Sequence, residues 1–270
     1  MYKFKHPLKL LVAYPYLNKD IINIIKENEV QFLLDSGAFT AWKSGKQIDL
    51  DAYCNLIEAL PFKPWRYFTL DVIGDPEGTV KNYEIMLKRG FKPIPIFTRG
   101  EDIKMLDEYY KTSDVVGIGG LVGTPGNKGF VKGIMRKANG RKIHLLGFTN
   151  LDFLKAYKPY MADSSSWESG ARYAQIPLYL GAGKNLIQLT KDTINEKLKN
   201  HEIIKAISEL GVDPYSLLNN DCWSGGMSSS RVLGGRSYRR LSDEVFDKLG
   251  VNLFLAAATG YAIKLLLRKE

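Results

Sequence analysis

The sequence predicts an α/β fold, a (β/α)8 TIM-type barrel with a helical C-terminal extension. Three observations carry that expectation. Short strand-like runs alternate with amphipathic helical stretches, the pattern of βα units and a parallel sheet. Several of these runs end in Asp or in paired Gly followed by small polar residues, and in such barrels the working groups stand at the C-terminal ends of the strands. The rival doubly wound sheet is disfavoured because the first βα loop has no G-x-G-x-x-G.

In chain order, the apolar run at 8–14 opens the barrel, and strand candidates follow at 31–34, 67–70, 93–97, 114–118, 143–147 and 160–162. An eighth is expected at 176–180. Between them, 50–59, 78–89, 103–111, 128–138 and 151–157 carry apolar residues at roughly helical spacing. Gly90, Gly140 and Gly211 stand where helices would stop. After Asp163 the chain turns polar over 164–170. Residues 187–210 read as helical with a break near Asn200, 224–240 as a Gly/Ser-rich stretch, and 241–269 as two helices, the last over 253–268. This divides the chain into a barrel core at 1–185 and a helical closure and extension at 186–270, within one domain.

A length of 270 residues with 45% hydrophobic content suits one large domain with a full core. Cys54 and Cys222 have no metal-ligand spacing with each other or with His6, His144 and His201, so neither zinc nor a disulfide framework is expected and a reducing cytoplasm is the default. The first residues lack the apolar core of an export signal, and no run of about 18 apolar residues occurs, so a soluble chain with no membrane partner is expected. Its formal charge of +9, from 38 Lys and Arg against 29 Asp and Glu, is weak support for a polyanionic partner. Arg231, Arg236, Arg239 and Arg240 fall in the 224–240 stretch, where phosphate contacts and a solvated, mobile loop stand as equal readings.

Asp35 ends the run Phe32-Leu33-Leu34, Asp71 ends Tyr67-Phe68-Thr69-Leu70, Asp163 follows Tyr160-Met161-Ala162, and Gly119-Gly120 follows Val115-Val116-Gly117-Ile118. One Asp at a strand end is ordinarily a helix N-cap or Asx-turn residue. Four strand ends with ligand-type chemistry, converging with Gly147 on one barrel mouth, read as an active site.

Taken in order, Leu34-Asp35-Ser36-Gly37-Ala38-Phe39, Gly117-Ile118-Gly119-Gly120-Leu121, Leu145-Leu146-Gly147-Phe148 and Asp163 resemble the motif set of guanine transglycosylases, over about residues 30–175. The best-known members exchange a guanine in tRNA for a 7-deazaguanine. The compact length and the wording Asp163-Ser164-Ser165-Ser166-Trp167 are more similar to the phage branch, the DpdA-like enzymes, implicated in placing 7-deazaguanines in DNA. A phage-encoded chain would work in the host cytoplasm.

The resemblance implies a retaining base exchange without a cofactor. Asp163 matches the nucleophile that attacks the sugar C1′ and holds the sugar as an ester, and Asp35 matches the proton-transfer carboxylate. Asp71 matches the acceptor for the N1–H and exocyclic amine of a guanine-like base. Ser36, Gly119, Gly120, Leu121 and Gly147 complete the base pocket, and Leu121 and Val122 face the 7-substituent. Phe39 matches an aromatic that stacks on the base, with core packing as its competing reading.

Three departures bear on the substrate. The cysteine-rich zinc site of the tRNA enzymes is missing, so no zinc is expected. A Gln-Gly turn of the family is replaced by Phe97-Thr98-Arg99-Gly100, where Thr98 or Arg99 would have to recognise the base carbonyl. Of the basic pair after the nucleophile only Arg172 remains, with Ser169 where a second Arg would stand. These losses shift the expected polymer from tRNA to DNA, in which the target base must be extruded or the strand opened by a partner protein. Trp167 reads either as a stacking group for a neighbouring base or as a buried loop anchor. A tRNA-directed exchange and a non-catalytic nucleic-acid-binding barrel are the alternatives.

Overall fold

A computed structural model describes residues 1–121, 126–223 and 229–268. Eight strands form one sheet: β1 (Leu8–Ala13), β2 (Val30–Asp35), β3 (Arg66–Tyr67), β4 (Ile96–Phe97), β5 (Val115–Ile118), β6 (Lys142–Leu145), β7 (Met161–Ser164) and β10 (Asn252–Ala256). Two more, β8 (Gln175–Tyr179) and β9 (Leu186–Thr190), pair antiparallel as a separate hairpin. The sheet order is β3-β2-β1-β10-β7-β6-β5-β4, and every pairing in it is parallel. Its two edges meet through a parallel bridge between Phe68 and Ile94, where the Thr69 N–H donates to the Ile94 carbonyl at 2.9 Å and the Ile94 N–H to the Tyr67 carbonyl at 2.8 Å. The fold is an α/β barrel of TIM type, as expected. β4 is short because Pro93 and Pro95 have no N–H to give the ladder.

Alternation along each strand sorts side chains into two shells. Leu11, Leu33, Phe68, Ile96, Val115, Met161 and Phe254 fill the inside of the barrel. Leu10, Val12, Phe32, Leu34, Val116, Ile118, Ile143, Leu145, Ala162, Leu253 and Leu255 face outward into the main core with the surrounding helices. The β6 member of the inner shell is His144, fully buried, with its ring edge-on to Phe68 at 4.9 Å between centroids.

The second half differs from the expectation in several respects. Where 187–210 was expected to be helical, Leu186–Thr190 is the strand β9 and helix follows only at Ile194–Lys197 and His201–Glu209. The run at 176–180 does not close the barrel, because Ile176 and Leu178 face a separate cluster with Leu189, Ile203, Ile207, Trp223 and Leu233. The eighth barrel strand is β10, where a helix starting at 253 was expected; the helix begins only at Gly260, capped by the Thr259 side chain. Residues 166–250 are thus an insertion between the last two strands, and a boundary at 185 falls inside its hairpin.

The Gly/Ser/Arg-rich stretch is the other correction. Residues 224–228 lie outside the described residues, but Ser229–Leu249 is a 21-residue helix. Its glycines serve close packing: a Cβ on Gly234 would stand 2.4 Å from the Trp167 carbonyl oxygen, so only glycine lets the helix approach that turn. Arg236 donates to the carbonyls of Leu210 and Gly211 at 2.9 and 3.1 Å, ending the helix His201–Glu209. Arg239 donates to the Leu266 and His6 carbonyls at 3.0 and 3.1 Å. Guanidinium groups at helix C-termini satisfy orphan carbonyls and complement the dipole.

Among the described residues no helix is long and apolar enough to cross a membrane. Cys54 and Cys222 are free thiols.

Candidate active site at the barrel mouth

Parallel register brings the C-terminal ends of the eight strands to one end of the barrel, and three aspartates gather there. Asp35 ends β2 two residues after the inward-facing Leu33, so its side chain continues the inner row. Its Oδ2 accepts the Gly37 N–H at 3.0 Å. Burial, with the neighbouring carboxylates of Asp71 and then Asp163, pushes its pKa up to about 7, against smaller opposing pulls from the Gly37 and Ser36 N–H groups. Asp71 and Asp163 both act on the Asp35 carboxyl, so Asp35 is the acid whose protonation the cluster controls.

Asp71 follows the Phe68–Ile94 closure. Its Oδ1 accepts a hydrogen bond from Ser36 Oγ at 2.7 Å, and burial raises its pKa from the ordinary carboxylate range. Ser36 is fully buried, so the serine after Asp35 fixes the neighbouring acid.

Asp163 stands on β7, two residues after the inward-facing Met161, and is 8% exposed. Its Oδ1 is doubly bound, by His144 Nε2 at 2.9 Å and by the Gly147 N–H at 3.0 Å. Among the described residues no hydrogen bond ends on Oδ2. A carboxylate with one oxygen held and the other open is oriented for attack or for charge stabilisation.

The facing wall is thin. A Cβ on Gly119 would lie 2.9 Å from Ile96 Cγ2, and Gly120 has φ +67°, so backbone reaches the mouth where side chains would fill it. Leu121 is buried and its carbonyl accepts from Asn127 Nδ2, while Val122 lies outside the described residues. In the next loop the N–H and hydroxyl of Thr98 both donate to Glu101 Oε1, at 2.7 and 2.8 Å, and Arg99 bonds Asn127 and lies over Phe130. Thr98 is thus engaged within its own loop, whereas Arg99 is exposed and keeps donors available at the mouth.

Phe39 belongs to the rim, not the core: it is 37% exposed, lies nearly parallel to Trp42 at 6.0 Å, and carries Lys43 Nζ at 4.9 Å over its face. A cleft of about 240 Å³ lined by Ala38, Trp42, Lys46, Ile48 and Asp71 opens beside it. A larger cleft of about 580 Å³, lined by Asp75, Glu77, Glu101 and Asp102, contains none of the three gathered aspartates.

The proposed backbone-contact residues are placed differently from expectation. Trp167 has no exposed surface and its Nε1–H donates to the Ala256 carbonyl at 2.9 Å, so it anchors the loop and is not open to a base. Arg236 and Arg239 are buried on helix-end carbonyls, and Arg240 pairs with Glu209 and Glu244. Arg231 and Arg172 both pair with Glu168, an acid that is itself only 6% exposed. Of the set, Arg172 alone keeps about half its side chain in solvent.

Sequence reasoning missed His144 and Glu168. For His144 the signal lay in the period of β6: Lys142, His144 and Leu146 share the inward row, and a histidine inside a barrel requires a polar partner. Glu168 had no local signal, since Arg231 comes from 63 residues further along the chain. Among the described residues no group of three or more His, Cys, Asp and Glu is gathered to hold a metal ion. Compared with family profiles, curated proteins and solved structures, the chain matches none.

Proposed function

We propose that this chain is a guanine transglycosylase that exchanges a guanine in DNA for a 7-deazaguanine base by double displacement. The observation that carries the reading is the trio at the mouth: Asp163 with one oxygen held and one open, Asp35 with its pKa near neutrality, and Asp71 fixed by Ser36.

In the first displacement Asp163 Oδ2 attacks the sugar C1′, the C1′–N9 bond breaks, its electron pair leaves with guanine, and Asp35, as the carboxylic acid, gives the departing base a proton. The sugar remains as an ester of Asp163. In the second, the incoming base gives its N9 proton to the Asp35 carboxylate and attacks C1′, and Asp163 leaves. One carboxyl group must serve as acid and then as base, which favours a pKa close to the working pH. Asp71 accepts from the N1–H and exocyclic amine of the base. Phe39 and Trp42 form an aromatic rim beside that acceptor, suited to stacking on a base.

DNA is assigned on the resemblance of the 163–167 segment; the helix Ser229–Leu249 adds nothing to that choice, because its arginines are engaged within the protein. The test is incorporation of labelled guanine and labelled 7-deazaguanines into DNA and tRNA side by side, with Asp163→Ala as the blank. Aspartate-dependent label in DNA supports the reading. Label in tRNA alone makes the chain an RNA-directed exchanger, and label in neither, with binding retained, points to a missing partner protein or to a non-catalytic barrel.

A further inference from the structure

At mid-height the inside of the barrel is packed by Leu11, Leu33, Phe68, Ile96, Val115, Met161 and Phe254, and β6 places His144 among them. His144 has no exposed surface, packs edge-on against Phe68, bonds Asp163 Oδ1 through Nε2 at 2.9 Å, and has no partner for Nδ1 among the described residues. A buried polar side chain with half its capacity unused is costly, so a site that retains one needs a reason beyond packing.

We infer that His144 is a positioning residue for the nucleophile of the proposed base exchange: its Nε2–H, with the Gly147 N–H, fixes Asp163 Oδ1 so that Oδ2 alone faces the sugar. The tautomer follows from the surroundings. A carboxylate oxygen accepts, so the hydrogen belongs on Nε2. A hydrogen on Nδ1 would be buried with no acceptor. The two donors reach the same oxygen from separate elements, β6 and the turn after it, which restricts rotation of the carboxylate about χ2. Phe68 sets the plane of the imidazole from the opposite side of the barrel seam. The arrangement rests on Asp163 acting as nucleophile.

The test uses two variants of the whole chain. His144→Phe keeps a ring against Phe68 and removes the donor. His144→Gln places an amide N–H close to the position of Nε2. Covalent adduct formation with a guanine-containing oligonucleotide should fall about 10–100-fold in His144→Phe, the range for loss of a group that orients a reacting ligand. Binding of the free 7-deazaguanine base, which engages Asp71, should be unchanged, and His144→Gln should recover adduct formation to within about threefold of wild type. Nitrogen NMR on the wild-type protein should find His144 as the Nε2–H tautomer.

A wild-type rate in His144→Phe, a His144→Gln variant no better than His144→Phe, or an Nδ1–H tautomer each overturns the inference while leaving the base exchange standing. Absence of any adduct in the wild type, under conditions where it binds the oligonucleotide, overturns the base-exchange reading and the inference with it.

Discussion

Ser36 Oγ donates to Asp71 Oδ1 across 2.7 Å, joining the loop after β2 to the loop after β3. The same serine oxygen accepts the Ala38 N–H at 3.2 Å, so one buried hydroxyl ties the first residue of the helix Ala38–Lys43 to the Asp71 carboxylate, the proposed acceptor for the base. Ser36→Ala should therefore weaken binding of a 7-deazaguanine base by about three- to tenfold, with a stability loss of about 1 kcal/mol, the usual range for one hydrogen bond. Calorimetry with the free base checks the first and chemical unfolding the second. Unchanged base affinity would remove Asp71 from the base pocket.

The pKa of Asp35 sets a pH dependence with a definite sign. Raised from 3.8 to about 7 in the folded protein, the group stays protonated there while the unfolded chain ionises. Between about pH 4 and 7 the folded state binds more protons, so stability falls as pH rises, and the loss is complete above the folded value. Asp35→Asn removes this term and should be more stable than wild type at pH 8 by about 2–4 kcal/mol, with the two converging near pH 4. Urea unfolding across that range measures it. The first displacement, which needs the acid form, should decline as pH rises through about 7.

Arg236 and Arg239 end two helices inside the protein and should behave as structural groups. Arg236→Met and Arg239→Met should each lower stability by about 2–3 kcal/mol, since each strips buried carbonyls of charged donors. The salt dependence of nucleic-acid binding should not change. A reduced salt slope in either variant would return these arginines to phosphate contacts, one of the two readings their sequence context allowed.

Gly234 supports the account of the insertion. A Cβ there would meet the Trp167 carbonyl oxygen at 2.4 Å, so Gly234→Ala should destabilise by about 1–3 kcal/mol despite the better helix propensity of alanine. A stabilised variant, read by thermal unfolding, would show that the helix does not lie against the loop after Asp163.

These outcomes bear on what the sequence made legible. The first seven strands were readable because each is a short apolar run bounded by helical periodicity, and the acids at their ends stood out as charges after apolar stretches. Asn252–Ala256 was not, because Leu253-Phe254-Leu255 runs directly into Ala-rich sequence, and a buried strand and a buried helix share the same unbroken apolar pattern. The stretch around Gly234 misled for a different reason. Glycine and serine signal loops when seen alone, and here they permit close contact with Trp167 and with the Pro177 carbonyl, which accepts from Ser237 Oγ at 3.0 Å. Burial of Arg236 and Arg239 depends on carbonyls supplied from distant helix ends, and no local pattern carries that information.

The proposed exchange is tested most simply by trapping the protein on a guanine-containing DNA strand, digesting the denatured adduct and locating the sugar by peptide mass spectrometry. The account predicts an ester on Asp163, lost in Asp163→Ala and displaced by added 7-deazaguanine. Exchange that proceeds without an adduct, or an adduct on another residue, would contradict it.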